Sequence, residues 1–196
     1  MTTSILLAGV GGQGVVVAGD VLAKALLYSG FDVKKSEIHG MAQRGGSVFS
    51  HVRFGEKVYS PVIPTGSADF IVSFENMEFL RYLEYTNNKT VLILNTARIL
   101  PPSVNMGEEK YPEEAVEEYK GYFASFEELN ADSVAESLGS RKAAGTVLLS
   151  VLSKYLPVKQ EAWEAAIRSA FSEKIAELNL KCLKSMGKYY EDNQSL

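Results

Sequence analysis

Short apolar runs alternate with stretches of helical spacing over the first half of the chain. Residues 4–8 form a continuous apolar run that stops at a glycine. A run of this kind is typical of a central parallel strand buried on both faces. Residues 15–28 then repeat apolar side chains at helical spacing, and residues 31–33 open a second predicted strand. This order predicts a strand–helix–strand unit.

Residues 47–54 alternate between two faces, one carrying Val48, Ser50, Val52 and Phe54 and the other Phe49, His51 and Arg53. The alternation predicts a strand, and the pair 55–56 suits a turn into residues 57–59, which predicts a β-hairpin. Residues 69–74 and 90–94 predict two further strands, with a helix over 76–85 between them, and residues 121–126 are a further strand candidate.

The C-terminal third predicts helices only, the first of them capped by Ser140 and running to about residue 155. The fold class is therefore α/β, with a mostly parallel Rossmann-like sheet, a β-hairpin excursion and a helical C-terminal region from about residue 140. A length of 196 residues fits a single domain spanning 1–196.

Composition and charge exclude several classes of function. The formal net charge of −4 argues against a general nucleic-acid binder, which needs a basic surface. The apolar runs are shorter than the ~18 residues of a membrane span, and the N-terminus does not resemble a signal peptide. We therefore expect a cytoplasmic protein that interacts with neither membrane nor nucleic acid.

Cys182 is the single cysteine of the sequence. One thiol excludes an internal disulfide, a four-cysteine zinc site and a self-contained iron–sulfur cluster. Its place on the apolar face of a predicted helix favours a packing role, and we expect no metal site on this chain.

The glycines after the first strand are the first candidate site. They fit the pattern G-x-G-x-x-G between a strand and a helix, which is where the dinucleotide fingerprint occurs. Three interpretations remain open: a tight turn alone, dinucleotide binding, and contact with another anion or a subunit. The candidate residues of this loop are Gly9, Gly11, Gly12, Gln13 and Gly14.

A ribose-binding acid is expected about 20 residues after the fingerprint, at the end of the second strand. Asp32 and Glu37 follow Gly14 by 18 and 23 residues. Asp32 belongs to the start of the predicted strand, so neither acid is placed cleanly.

Residues 37–46 form a second candidate segment that is rich in polar and basic groups. Arg44 offers a planar fork of donors that suits a carboxylate or phosphate, and a salt bridge to a partner subunit explains it equally well. His39 can titrate near neutral pH, although a structural hydrogen bond is the simpler role. His51, on the following strand, favours a structural role. The remaining candidates of this segment are Gln43, Gly45 and Gly46.

The glycine loop together with residues 36–46, read as SEIHGMAQRGG, resembles the gamma domain of 2-oxoacid:ferredoxin oxidoreductases. Within that group the chain most resembles the beta subunit of the indolepyruvate ferredoxin oxidoreductases. Residues 59–64 extend the resemblance, and the run Arg141-Lys142-Ala143-Ala144-Gly145 is similar to the helical end of the family. The acid-rich residues 107–120 depart from the family pattern.

The resemblance implies a subunit without cofactors of its own, in an enzyme that oxidatively decarboxylates aryl 2-oxoacids to acyl-CoA and passes electrons to ferredoxin. It implies a larger alpha subunit that carries thiamine diphosphate with magnesium and the iron–sulfur clusters, and CoA as co-substrate. This chain would be inactive without that partner, and a homodimer in isolation is left open. The alternatives are a stand-alone dinucleotide-binding dehydrogenase and a non-catalytic nucleotide-binding protein.

Overall fold

The computed structural model describes residues 2–39, 46–100, 102–108, 110–111 and 114–193. Within them, six strands form one sheet in the order β2-β3-β1-β4-β5-β6. The strands are β1 (Thr2–Val10), β2 (Asp32–His39), β3 (Ser47–Gly55), β4 (Phe70–Ser73), β5 (Val91–Asn95) and β6 (Ser125–Leu129).

The sheet is mostly parallel, as the sequence predicts. β1, β4, β5 and β6 pair in parallel, while β3 lies antiparallel between β1 and β2. The first strand is central: Ile5, Leu6, Leu7 and Ala8 are all fully buried. The ends of β1, β4 and β5 therefore meet at one edge of the sheet, together with the end of β2 and the start of β3.

Helices cover one face of the sheet. Buried side chains of α1 (Val15–Tyr28), α4 (Ala131–Ser137), α5 (Ala144–Leu152), α6 (Gln160–Ala170) and α7 (Glu173–Asn193) join one hydrophobic core there. The opposite face carries a smaller core with a 3₁₀ helix (Glu78–Tyr85) and α3 (Ala115–Tyr119). The short α2 (Pro102–Asn105) follows β5. The helical C-terminal region predicted from about residue 140 is confirmed.

The hairpin predicted between residues 47–54 and 57–59 is wrong. β3 pairs with β2 and β1, and residues 57–59 are not a strand. The reason is local: the N–H of Val58 donates to the Asp32 carboxylate at 2.9 Å, so this segment is fixed by a side chain at the start of β2 instead of a ladder. The hairpin strands are therefore β2 and β3.

Two further elements differ from prediction. The helix expected over 76–85 is a 3₁₀ helix beginning at Glu78, and the strand expected over 121–126 is β6, beginning at Ser125. Ser140 does cap its helix, since its side-chain oxygen accepts a hydrogen bond from the N–H of Lys142 at 3.3 Å.

Candidate functional site

The glycine loop turns the chain sharply from β1 into α1. Gly12 and Gly14 have φ values of +102° and +83°, a region that other residues rarely adopt. The Gln13 side chain holds the turn at both ends: its oxygen accepts from the N–H of Val10, and its amide donates to the carbonyl of Phe74, both at 2.7 Å. Gln13 therefore acts within the loop, binding it to the end of β4.

Gly9 allows close packing between the first helix and the sheet, which is one of the roles of glycines in such loops. A Cβ at this position would lie 2.7 Å from Val15 Cγ2 and 2.8 Å from Phe74 Cβ. The absence of a side chain lets α1 approach β1 and β4, which brings the start of the helix to the edge of the sheet.

The start of α1 presents the positive end of its dipole to this edge. Gly14 is the N-cap, no side chain caps the helix, and its first turn contains no acid. Backbone N–H groups at such an uncapped start favour an anion.

A cleft of about 640 Å³ opens beside the loop. Its volume lies within the range of small-molecule sites. Loops following β1, β4 and β5 meet the start of the capped helical segment here. Among the described residues, the charged ones that line the cleft are Arg141, Lys142 and Asp132, which together carry a net charge of +1. The other lining residues are Gly11, Gly12, Gln13, Gly14, Phe74, Asn95, Ile99 and Ala144.

Arg141 is oriented by a network of hydrogen bonds. Its Nε donates to Asp132 Oδ1 at 2.7 Å, and Asn95 Nδ2 donates to the other carboxylate oxygen at 2.9 Å. The hydrogen bond to Asp132 raises the pKa of Arg141. Since 63% of the Arg141 side chain remains exposed, a fixed cation is available to an anionic ligand.

An apolar wall of the cleft is formed by the exposed side chain of Ile99, next to Phe74, whose own side chain is buried in the core. The cleft thus combines a cationic wall, an apolar wall and a loop of backbone N–H groups. A ligand that joins a flat apolar group to phosphates matches this combination.

Neither predicted ribose acid reaches the cleft. Asp32 begins β2 and pairs with Lys34 at 2.6 Å, while Glu37 pairs with Lys35 at 2.9 Å. The hydrogen bonds from the Lys34 side chain and from the N–H of Val58 both lower the pKa of Asp32. More important, β3 separates β2 from β1, so the acids lie one strand farther from the glycine loop than the fingerprint requires.

The second candidate segment lies only in part within the described residues. Gln43, Arg44 and Gly45 are outside them, and His39 is described by its backbone alone, as the last residue of β2. Gly46 is described, and its carbonyl accepts a hydrogen bond from the N–H of Gly11 at 2.8 Å. The structure thus brings the end of this segment to the glycine loop.

His51 has the structural environment that its sequence position favours. It is 2% exposed, and its Nδ1 accepts a hydrogen bond from the N–H of Ile63 at 3.2 Å. Burial lowers its pKa. The imidazole is therefore neutral, with its proton on Nε2.

Cys182 is fully buried, and burial raises the pKa of its thiol to about 11. Among the described residues, no group of three or more His, Cys, Asp or Glu side chains is arranged to hold a metal ion. Within the same part of the chain, no helix has the length and apolar character needed to cross a membrane.

Sequence reasoning missed the polar wall of the cleft. Asn95 and Asp132 carry no motif, and Arg141-Lys142 was interpreted only as a helical end. The available signal was Ser140, whose capping role places the next two basic residues at the start of a helix. Asn95 also ends β5, at the sheet edge where ligands bind in open α/β folds.

Comparison with known proteins identifies the family. The model of the pyruvate ferredoxin/flavodoxin oxidoreductase family matches residues 4–188. The chain is 43% identical over 188 residues to the indolepyruvate oxidoreductase subunit IorB of Archaeoglobus fulgidus, covering 94% of this chain and 93% of that protein.

Two solved structures share the fold. The gamma subunit of a keto/oxoacid ferredoxin oxidoreductase from Geobacter sulfurreducens matches with a TM-score of 0.68 and 24% identity, over 93% of this chain and 94% of that one. The 2-oxoglutarate:ferredoxin oxidoreductase of Magnetococcus marinus, with 2-oxoglutarate, coenzyme A and succinyl-CoA bound, matches with a TM-score of 0.71 and 18% identity, over 94% of this chain and 30% of that one. From the match of residues 4–188 and the 43% identity, this chain belongs to the pyruvate ferredoxin/flavodoxin oxidoreductase family.

Proposed function

We propose that this chain is the non-cofactor subunit of an indolepyruvate-type 2-oxoacid:ferredoxin oxidoreductase. The complete enzyme would oxidatively decarboxylate aryl 2-oxoacids to acyl-CoA and reduce ferredoxin. The observation that carries the proposal is the 43% identity to an indolepyruvate oxidoreductase subunit over nearly the full length of both proteins. The cytoplasmic location and a homodimer in isolation stay predictions from the sequence.

The residues of this chain do not fit the redox groups that the proposed reaction uses. An iron–sulfur cluster needs several thiolates, whereas the sequence has one cysteine, and Cys182 is buried with a raised pKa. The clusters are therefore assigned to a larger partner subunit, to which the family resemblance also assigns thiamine diphosphate and magnesium. This chain contributes binding and positioning.

The cleft is proposed to bind the nucleotide part of CoA. The apolar wall formed by Ile99 suits a base, and Arg141 and Lys142 suit phosphate groups. The structural neighbour from Magnetococcus marinus binds coenzyme A, which makes CoA the first ligand to test. Backbone N–H groups at the uncapped start of α1 add donors that cost no reorganisation.

The segment ending at Gly46 is proposed to complete this site or its interface with the partner. Its candidates are His39, Gln43, Arg44, Gly45 and Gly46. The support is that Gly46 adjoins Gly11, which lines the cleft. Arg44 would bind an anionic group of substrate or CoA, or a carboxylate of the partner.

The stand-alone dehydrogenase is disfavoured by the order of strands. Neighbouring strands lie about 4.8 Å apart, so inserting β3 doubles the separation between β1 and the strand that would carry a ribose acid. β3 also occupies the position beside the loop.

Co-expression with the candidate larger subunit tests the proposed function. We expect a co-purifying complex that reduces ferredoxin or a dye with indolepyruvate and CoA, and no turnover from either protein alone. Turnover by the isolated chain would refute the subunit assignment. A complex whose turnover does not depend on CoA would refute the role proposed for the cleft.

A further inference from the structure

The loop that follows β5 is closed by a single buried carboxylate. We call the described residues of this segment, 96–100, 102–108 and 110–111, the strap. Glu75 Oε1 accepts a hydrogen bond from the N–H of Ile99 at 3.1 Å and another from the hydroxyl of Tyr111 at 2.8 Å. One oxygen atom therefore joins Ile99 to Tyr111, which lie 12 positions apart in the sequence.

Glu75 is well suited to this task. It is 2% exposed and follows β4 closely, so the sheet fixes its backbone. Its other oxygen accepts from the N–H of Met77 at 2.6 Å, and its carbonyl accepts from the Ser73 hydroxyl at 2.6 Å. Hydrogen bonds to a charged acceptor are the stronger ones in proteins, and this carboxylate receives three.

Tyr111 is held in the donating state. Burial, and then its hydrogen bond to Glu75, raise the pKa of the phenol. Arg98 lies over its ring at 5.4 Å from the centroid, which adds a second contact between the two ends of the strap.

The strap in turn supplies one wall of the cleft. Ile99 lines it, and the backbone N–H of that same residue is bound to Glu75. The strap is otherwise joined to the turn after β4 by the bond from the N–H of Asn76 to the carbonyl of Ala97 at 2.9 Å. Beyond Ile99 it carries the exposed side chains of Leu100 and Met106. Loss of the carboxylate contacts would free the apolar wall from the sheet.

We propose that Glu75 and Tyr111 are positioning residues that latch the strap and so place Ile99 against the nucleotide portion of the ligand in the cleft. This inference rests on the proposed function, because it takes CoA as that ligand. Neither residue lines the cleft, so both act through Ile99. The latch fixes the width of the cleft between Ile99 and the cationic wall.

Hydrogen exchange on the full-length chain tests the latch without any enzyme activity. Tyr111→Phe removes one hydroxyl and keeps the ring. Losing a hydrogen bond to a charged acceptor shifts a local equilibrium by roughly 10- to 150-fold, so we expect amides of the strap, Ile99 included, to exchange at least about tenfold faster. Tyr122→Phe is the matched control, since Tyr122 is an exposed tyrosine outside the strap. Unchanged exchange in the Tyr111→Phe chain would overturn the proposal.

Steady-state kinetics of the assembled complex test the link to the cleft. Tyr111→Phe should raise the KM for CoA about tenfold, leaving kcat and the KM for the 2-oxoacid within about twofold. Glu75→Gln, which keeps the size of the side chain but replaces an acceptor by a donor, should have the larger effect on the same KM. A merely structural role would lower the yield of complex and leave the KM for CoA unchanged.

The outcomes separate the latch from the proposed function. Faster strap exchange with an unchanged KM for CoA overturns the positioning role. Failure of the proposed function appears earlier, in a wild-type complex that has no CoA-dependent turnover, before any variant is measured. Faster exchange together with a selective rise in the KM for CoA supports the proposal.

Discussion

The backbone N–H of Gly11 donates to the carbonyl oxygen of Gly46 over 2.8 Å, which joins two segments that the sequence marks separately. The bond extends the antiparallel pairing of β1 and β3 beyond its last pair, Val10 and Ser47. Because the N–H of Gly11 is already hydrogen-bonded to Gly46, Gly11 lines the cleft without offering a ligand a free donor. The loop is thus both a wall of the cleft and an extension of the sheet.

This pairing predicts that the isolated chain does not bind NAD tightly. β3 and Gly46 occupy the side of the loop where a ribose acid would lie, and Asp32 is committed to Lys34 and Val58. Calorimetry with NAD should therefore show binding weaker than micromolar, which means a binding free energy less favourable than about −8 kcal/mol. A micromolar Kd, or a clear rise in the melting temperature with NAD, would favour the dehydrogenase instead.

The cationic wall of the cleft gives the second prediction. Arg141→Ala in the assembled complex should raise the KM for CoA by roughly 10- to 150-fold, the effect of losing about 1.5–3 kcal/mol of charged hydrogen bonding. Steady-state kinetics with varied CoA make the measurement.

Arg168→Ala is the matched control for that experiment. Arg168 is also an exposed arginine in an ion pair, with Glu177 at 2.8 Å, and it does not line the cleft. Equal KM values for the two variants would remove Arg141 from the ligand site.

The packing of the glycine loop gives the third prediction. Gly9→Ala places a Cβ within 2.8 Å of Val15 Cγ2 and Phe74 Cβ, and overpacking of this kind lowers the free energy of unfolding by about 1–3 kcal/mol. Gly121→Ala is the control, because its Cβ would meet nothing within 4 Å. Urea unfolding of both variants provides the comparison, and equal midpoints would contradict the close packing at Gly9.

The sequence predicts an element correctly where the residues that determine it lie within a few positions of one another. The buried run of β1, the turn at Gly12 and Gly14, and the cap at Ser140 each have a signal within a few residues. The neighbours of β3 have no such signal, because alternation indicates a strand but not its partners. The hairpin was therefore assigned to the wrong second strand.

The candidate site was predicted only where a motif lies in one continuous segment. Asn95, Asp132 and Arg141 form one network, but they come from three separate elements: the end of β5, the first turn of α4 and the helical segment after Ser140. Glu75 likewise belongs to no motif in the sequence, and only the structure shows the strap bound to it. Contacts of this kind depend on tertiary packing, which spacing along the chain does not encode.

The last prediction concerns the pH dependence of stability and depends on His51. Burial lowers its pKa in the folded chain, whereas the unfolded chain titrates near the usual value of about 6.5. The unfolded state therefore binds the proton more readily than the folded state. The free energy of unfolding falls as the pH drops from about 6.5 to the lower pKa that His51 has in the folded chain. For one proton the slope is at most about 1.4 kcal/mol per pH unit.

His51→Asn isolates this contribution. Asparagine offers an oxygen near the position of Nδ1 that can accept from the N–H of Ile63, but it does not titrate. His39, the only other histidine of the sequence, is present in both chains and cancels in the comparison. Urea unfolding between pH 7.5 and about pH 5.5, below the usual histidine pKa of about 6.5, should show a shallower loss of stability in the variant. Parallel pH profiles for the two chains would show that His51 is not held neutral by burial, because a buried neutral imidazole must lose stability when the unfolded state takes up its proton.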